Sequence, residues 1–138
     1  MDINRRNVVF VFLLFITLSF VLFGNSLDSQ FTLDDHQVIE RRQELRSLSR
    51  LPQILIASWH PAGQWAGNYR PLTLATFAFN FMFSENPVGF RIVNIIIHGA
   101  NVFLLFLLGR KLYSTKTGLI AAGLFLFLPI HVEPVVSI

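Results

Sequence analysis

Val88 to Gly109 is a stretch of 22 residues whose one formal charge is Arg91, and Arg110 and Lys111 follow it at once. As a helix rising about 1.5 Å per residue it is about 33 Å long, enough to cross the hydrocarbon of a bilayer. A second run, Val8 to Phe23, is uncharged, follows Arg5 and Arg6, and covers about 24 Å. It crosses with help from its flanks. The rival reading is a cleaved signal peptide with Gly24 and Ser26 near the cleavage point, but the run exceeds the usual apolar core of such peptides. A third segment begins near Ser114 or Thr117, continues through "GLIAAGLFLFL" and meets Pro129, again about 24 Å. Spans are expected at about 8–23, 88–109 and 114–130.

Composition agrees. The chain is 53% hydrophobic with 15 Phe and only 14% charged residues, a balance that belongs to membrane proteins. With no cysteine, disulfide frameworks, thiolate metal sites and Cys nucleophiles are excluded. The net charge of +3 comes mainly from short Arg and Lys clusters beside the apolar runs, which suits membrane orientation and not nucleic-acid binding. No internal repeat period occurs. The expected fold is all-α, a polytopic transmembrane helical bundle with external juxtamembrane amphipathic helices, in a single domain covering 1–138. The apolar ending "PIHVEPVVSI" reads as the N-terminal portion of something longer.

The piece "PLTLATFAFNFMF", Pro71 to Phe83, is apolar but covers only about 20 Å. Counting it as a span would put Arg5 and Arg6 on the opposite side from Arg110, Lys111 and Lys116, against the positive-inside pattern. Residues 24–87 therefore read as one external loop whose helices rest at the outer interface. Within it, Val38, Leu45, Leu48 and Leu51 predict one face of an amphipathic helix. Its other face carries Arg41, Arg42, Glu44 and Arg46, and Pro52 stops it. Trp59 and Trp65 suit the headgroup belt. Pro71 suits a first helical position, and Thr73, Thr76 and Asn80 form a polar stripe behind it.

Polar groups are expensive in such a chain, so their placement carries information. Arg91, Asn94, His98 and Asn101 recur at spacings of three, four and three, on one face of the second span. Intramembrane ionisable groups normally face a bundle interior or a wet cavity, while asparagines also serve as interhelical hydrogen-bonding glue. In "FTLDDHQVI" the adjacent Asp34 and Asp35 repel unless a cation, a proton or water separates them, so the pair is either an exposed helix start or a site. His131 and Glu133 follow Pro129 on the same expected outer side. That topology gathers Asp34, Asp35, His36, Arg70, Arg91, His131 and Glu133 at one membrane face, although the spacings match no dedicated zinc or calcium motif.

The order of motifs is similar to one known group. An apolar span leads to "FTLDD", a long loop, "NYRPLT", an apolar helix, "NPVGFRIVNIIIH" opening a span, and "LFLFLPIHVEPV". This resembles the start of the polytopic C-type glycosyltransferases that use lipid-phosphate sugars. Within them it resembles the protein O-mannosyltransferases, including the transmembrane ones with tetratricopeptide repeats, which would lie downstream. The related pattern often has His where Leu128 and Arg91 stand here.

The resemblance implies sugar transfer, mannose in that group, from a polyprenyl or dolichyl phosphate to a protein Ser or Thr hydroxyl. It implies a periplasmic or luminal active face in the bacterial inner membrane or endoplasmic reticulum. The partners implied are membrane lipid, the lipid-linked donor, and a protein or glycan acceptor, with no nucleic acid. Asp34 or Asp35 would take the acceptor proton, the other orienting it, the acceptor or a divalent cation beside the pair. Arg70 and Arg91 would meet the phosphate, with Asn94, His98, His131 and Glu133 completing the substrate-binding set; no metal ligand is assigned. Residues 1–138 alone are expected to be inactive. Two other classes stay open: a membrane anchor or assembly subunit, and a transporter fragment.

Overall fold

The computed structural model of the chain describes residues 5–31, 35–59 and 69–138. Regular structure among these residues is helical throughout. In order, α1 is Arg5–Phe23, α2 Leu51–Ile56, α3 Pro71–Phe81, α4 Pro87–Leu112, α5 Thr115–Phe127 and α6 Val132–Val136, joined by shorter turns. Two stretches, Asn7–Asp28 and Pro87–Leu112, are long and apolar enough to cross a membrane. A third span requires α5 and the Pro129–Val136 segment to act together, and these are bent by 56°. The bend has a local cause. Pro129 lacks an N–H and its ring forces the preceding Leu128 out of the helical region, to φ −66°, ψ 126°.

The chain divides into two compact units, one formed by residues 1–28 and 91–137 and the other by residues 29–90 with Ile138. In the first, α1, α4 and α5 meet through rings and small residues. Phe12 meets Phe103 edge-on at 5.2 Å, and Phe15 tilts against Phe106 at 5.9 Å. Backbone proximity requires glycine at positions 99, 109 and 118, of which two illustrate it. A Cβ on Gly99 would stand 3.0 Å from the Ile16 Cα, and one on Gly118 would stand 2.5 Å from the Phe106 carbonyl oxygen. Helices sharing a lipid environment gain from such close approach because packing replaces the missing hydrophobic drive. The turn into α5 is fixed by Ser114, whose hydroxyl accepts from the Thr117 N–H at 3.2 Å.

The second unit has a hydrophobic core of Val38, Ile39, Leu45, Ile54, Leu74, Phe77 and Phe90 with Trp59 and Ala78. At roughly 1.5–3 kcal/mol for each large side chain buried, this core outweighs local helix preference. The consequence is visible between residues 36 and 51, where the continuous amphipathic helix does not form. A π-helical turn (His36–Glu40) and two 3-10 turns (Gln43–Arg46, Leu48–Arg50) replace it, with Arg42 and Ser47 extended between them. Pro52 stops nothing; it stands in the first turn of α2. Arg42, expected on the polar face, is buried. Its Nη1 donates to the carbonyls of Ser58 at 3.1 Å and Trp59 at 3.0 Å, and its Nε to Glu44 at 2.9 Å. Pro71 opens α3 as expected, and that helix turns Leu74, Phe77 and Ala78 into the core.

Candidate functional site

The polar stripe of α4 is where the first unit departs from simple packing. Asn94, His98 and Asn101 fall on one face of that helix and line a half-open cleft of about 170 Å³, closed by Ile97, Phe125 and His131 with the Pro134–Val135 edge. Three features of the sequence build it. The three-four-three spacing keeps the polar groups in register on α4. Pro129 ends α5 and turns the chain so that His131 comes back over Phe125, ring centroids 4.1 Å apart. Polar side chains of α4 then hold the returning segment: Arg91 Nε donates to the Val136 carbonyl at 3.1 Å, and Asn94 Nδ2 to that of Ser137 at 3.2 Å.

His98 occupies the floor. It is 4% exposed, sits edge-on to Phe23 at 5.2 Å, stacks with Phe125 at 5.4 Å, and lies 5.5 Å from the His131 ring. The ring is hydrogen-bonded to the backbone of Leu126, in the last turn of α5, where carbonyls lose their helical successors. Its Nε2 is buried and has no hydrogen-bond partner among the described residues. A group of that kind in a folded protein calls for an explanation.

Of the residues singled out from the sequence, Asn94, His98 and His131 thus line one cleft of the first unit, Arg91 holds the returning segment in the same unit, and Glu133 is exposed on α6. Asn101 joins them at the cleft's exposed lip. Phe125, which no sequence pattern marked, supplies part of the wall; its position four residues before Pro129 was the available signal. In the second unit Asp35 is 4% exposed and its side chain does not cap the turn that follows. Asp34 lies outside the described residues. Arg70 is exposed just before α3, with its guanidinium 4.9 Å from the Trp59 ring centre, a cation–π distance. His36 pairs with Glu40 at 2.7 Å on the surface. Among the described residues no group of three or more His, Asp or Glu is placed to hold a metal ion.

Arg42 is the residue that sequence reasoning placed wrongly, and it organises the second unit. By holding the Ser58 and Trp59 carbonyls it fixes the indole on which Arg70 rests. Glu44 is affected in turn. Partial burial pushes its carboxyl up, but the hydrogen bond from Arg42 and the charges of Arg42 and Arg50 prevail and hold it below its ordinary value of 4.5.

Fold and cleft define a helical membrane chain with a polar pocket beside the broken end of a span. Sequence comparison gives the relatives. Protein O-mannosyl-transferase Tmtc1 of Drosophila melanogaster is 30% identical over 132 residues, a match covering 88% of this chain and 15% of the relative. Protein O-mannosyl-transferase TMTC4 of Homo sapiens is 30% identical over 146 residues, covering 88% and 19%. Protein O-mannosyl-transferase TMTC3 of Mus musculus is 31% identical over 143 residues, covering 99% and 15%. Along most of its length the chain is a sequence relative of the TMTC protein O-mannosyl-transferases. It spans between 15% and 19% of the length of these three. No family model matches the chain, and no solved structure matches it.

Proposed function

We propose that the chain serves a membrane mannosyltransferase that moves mannose from a polyprenyl or dolichyl phosphate to a Ser or Thr hydroxyl of a protein, on the non-cytoplasmic side. The observation that carries this reading is the identity of about 30% along 88% or more of the chain with proteins named protein O-mannosyl-transferase. In the proposed arrangement the spans near 8–23, 88–109 and 114–130 bracket one external loop, 24–87. Asp34 or Asp35 takes the proton of the acceptor hydroxyl as its oxygen bonds to the sugar's anomeric carbon. The bond from that carbon to the phosphate oxygen breaks, and the electron pair leaves with the lipid phosphate.

Asp35 is proposed for the role as the described member of the pair, its carboxylate shielded from bulk water. Arg70 is proposed for the leaving phosphate: it is exposed, and its guanidinium lies over the Trp59 ring, which holds it in place. Arg91, Asn94, His98, His131 and Glu133 are proposed to bind substrate in the other unit.

The test is a transfer assay on the protein expressed from its native reading frame, in membranes, with a lipid-linked mannose donor and a Ser/Thr peptide. Asp35→Asn and Asp34→Asn are expected to abolish transfer while membrane insertion is kept. Undiminished transfer by both variants would remove the proposed base. Absence of transfer by the unaltered protein would remove the enzyme.

A further inference from the structure

The charges of the first unit are sorted by end. Its carboxylates among the described residues, Asp28 and Glu133, are exposed past the end of α1 and on α6, and no Asp or Glu occurs between Arg5 and Leu27 or between Ile92 and Val132. Asp2 lies outside the described residues. Arg91 shares the acidic end but is buried, its Nε held by the Val136 carbonyl. The other cations collect at the opposite end. α1 and α4 run antiparallel, since Phe12 meets Phe103 while Ile16 meets Gly99. Arg5 and Arg110 each lie seven residues past the Phe12–Phe103 contact, at one level about 10 Å along the helices. α5 brings Lys116 to the same place. A Cβ on Gly109 would stand 2.8 Å from the Gly118 Cα, and Lys111 and Lys116 lie two residues beyond that contact on the two arms of the α4–α5 turn. Arg5, Arg6, Arg110, Lys111 and Lys116 thus form one basic end, at which Lys111 and Lys116 are exposed.

Local helix energetics does not account for this cluster. Arg110 and Lys111 suit the last turn of α4, where the backbone dipole is negative. Arg5, Arg6 and Lys116 stand in first turns, where that dipole is positive and carboxylates are favoured, and neither turn holds one. An anion from outside the chain would offset the repulsion. The neighbouring side chains fix its kind: Leu108, Leu112, Leu119 and Ile120 are exposed on the two arms, and Tyr113 is exposed at the tip of the turn. An anion that meets the lysines beside such a surface carries an apolar body. A bilayer supplies one at the end of a span, the depth at which tyrosine settles among headgroups.

We infer that the α4–α5 turn, with the start of α1, is a docking surface for the headgroup of an anionic glycerophospholipid. Lys111 and Lys116 flank the lipid phosphate as point charges, and the acyl chains run along Leu108, Leu112, Leu119 and Ile120. Basic clusters just past a membrane span hold acidic headgroups in this way. Orienting a chain during insertion needs only the number of cations on one side, whereas holding a headgroup needs the juxtaposition that the Gly109–Gly118 contact imposes. The surface lies at the end of the unit opposite His131 and Glu133, apart from the residues proposed to bind substrate.

The experiment uses the full natural protein in non-ionic detergent micelles containing equimolar phosphatidylglycerol and phosphatidylcholine of the same acyl chains, and reads bound lipid by native mass spectrometry. Micelles have no leaflets, so membrane orientation does not enter. An excess of bound phosphatidylglycerol of about fivefold or more is expected, the gain from one cation close to an anionic headgroup. Lys111→Gln with Lys116→Gln changes two exposed side chains and is expected to lower that ratio about fivefold, while Lys111→Arg with Lys116→Arg keeps it. Raising the salt from about 0.1 M to about 1 M is expected to lower it in the unaltered protein. Equal binding of the two lipids by the unaltered protein, or an unchanged ratio in the glutamine variant, overturns the surface. Displacement of phosphatidylglycerol by inorganic phosphate at equal concentration also overturns it, since the site would then belong to a soluble anion. Sugar transfer is not read, so the outcome is independent of the transferase proposal.

Discussion

Replacing Gly118 by alanine adds one methyl group to α5, and the structure says where it lands. The new carbon would lie 2.5 Å from the carbonyl oxygen of Phe106, 2.9 Å from the backbone nitrogen of Arg110 and 3.3 Å from its Cβ. The two nearest are α4 backbone atoms and cannot rotate away, so the helices must separate. Gly118, Ala122 and Leu126 form the buried stripe of α5, so separation at Gly118 loosens the packing along that face.

Overpacking of this kind costs roughly 1–3 kcal/mol. Gly123 supplies the control, because it lies in the same helix and nothing stands within 4 Å of a Cβ placed there. Both substitutions gain alanine's advantage in a helix interior, up to about 1 kcal/mol, so the difference between the variants isolates the clash. Thermal unfolding in detergent, followed by far-ultraviolet circular dichroism, is expected to place Gly118→Ala about 4–12 °C below Gly123→Ala, at about 4 °C per kcal/mol. Equal stability, or a more stable Gly118→Ala, would show that the two backbones do not meet there.

Three further outcomes follow from side chains already described. Arg42→Met leaves the Ser58 and Trp59 carbonyls without their donor and is expected to destabilise the second unit by roughly 2–4 kcal/mol; tryptophan fluorescence reports this directly, since Trp59 belongs to that unit's core. Glu44 gives the same unit a pH dependence. Because its folded value lies below the unfolded one, its stabilising contribution is complete above 4.5 and is lost as pH falls through the folded value, so unfolding scans from about pH 6 to about pH 3 should show a shallower acid loss in Glu44→Gln. Ser114→Ala removes the acceptor for the Thr117 N–H and is expected to cost about 1 kcal/mol, read as a lower denaturant midpoint at unchanged slope.

The apolar spans were legible because length and absence of charge suffice to mark them, and α1 and α4 fall where those runs lie. Proline and serine punctuation was equally local: Pro71 opens α3, Ser114 caps α5 and Pro129 ends it. The stripe Asn94, His98, Asn101 was legible too, since helical spacing fixes which residues share a face.

What the sequence hid depends on distant partners. The amphipathic pattern of residues 38–51 fits a helix, yet the carbonyls that draw Arg42 inward lie 16 and 17 positions along the chain, and no local pattern announces them. Once Arg42 takes an extended backbone to reach them, the helix is cut and the residues after it restart in short turns. The cleft was half visible. Its α4 side followed from spacing, while the Phe125–His131 wall depends on the angle at which Pro129 returns the chain.

The fastenings along α4 share one register. Arg91, Asn94 and His98 each grip backbone belonging to α5 or to the segment after it, and all three do so from one side of a single rod. Adding one residue to that rod, between Arg91 and Asn94, would swing the later two away from the first by about 100°. No single rotamer change could restore the set, so the path of the chain after Pro129 is written in the phase of a different helix.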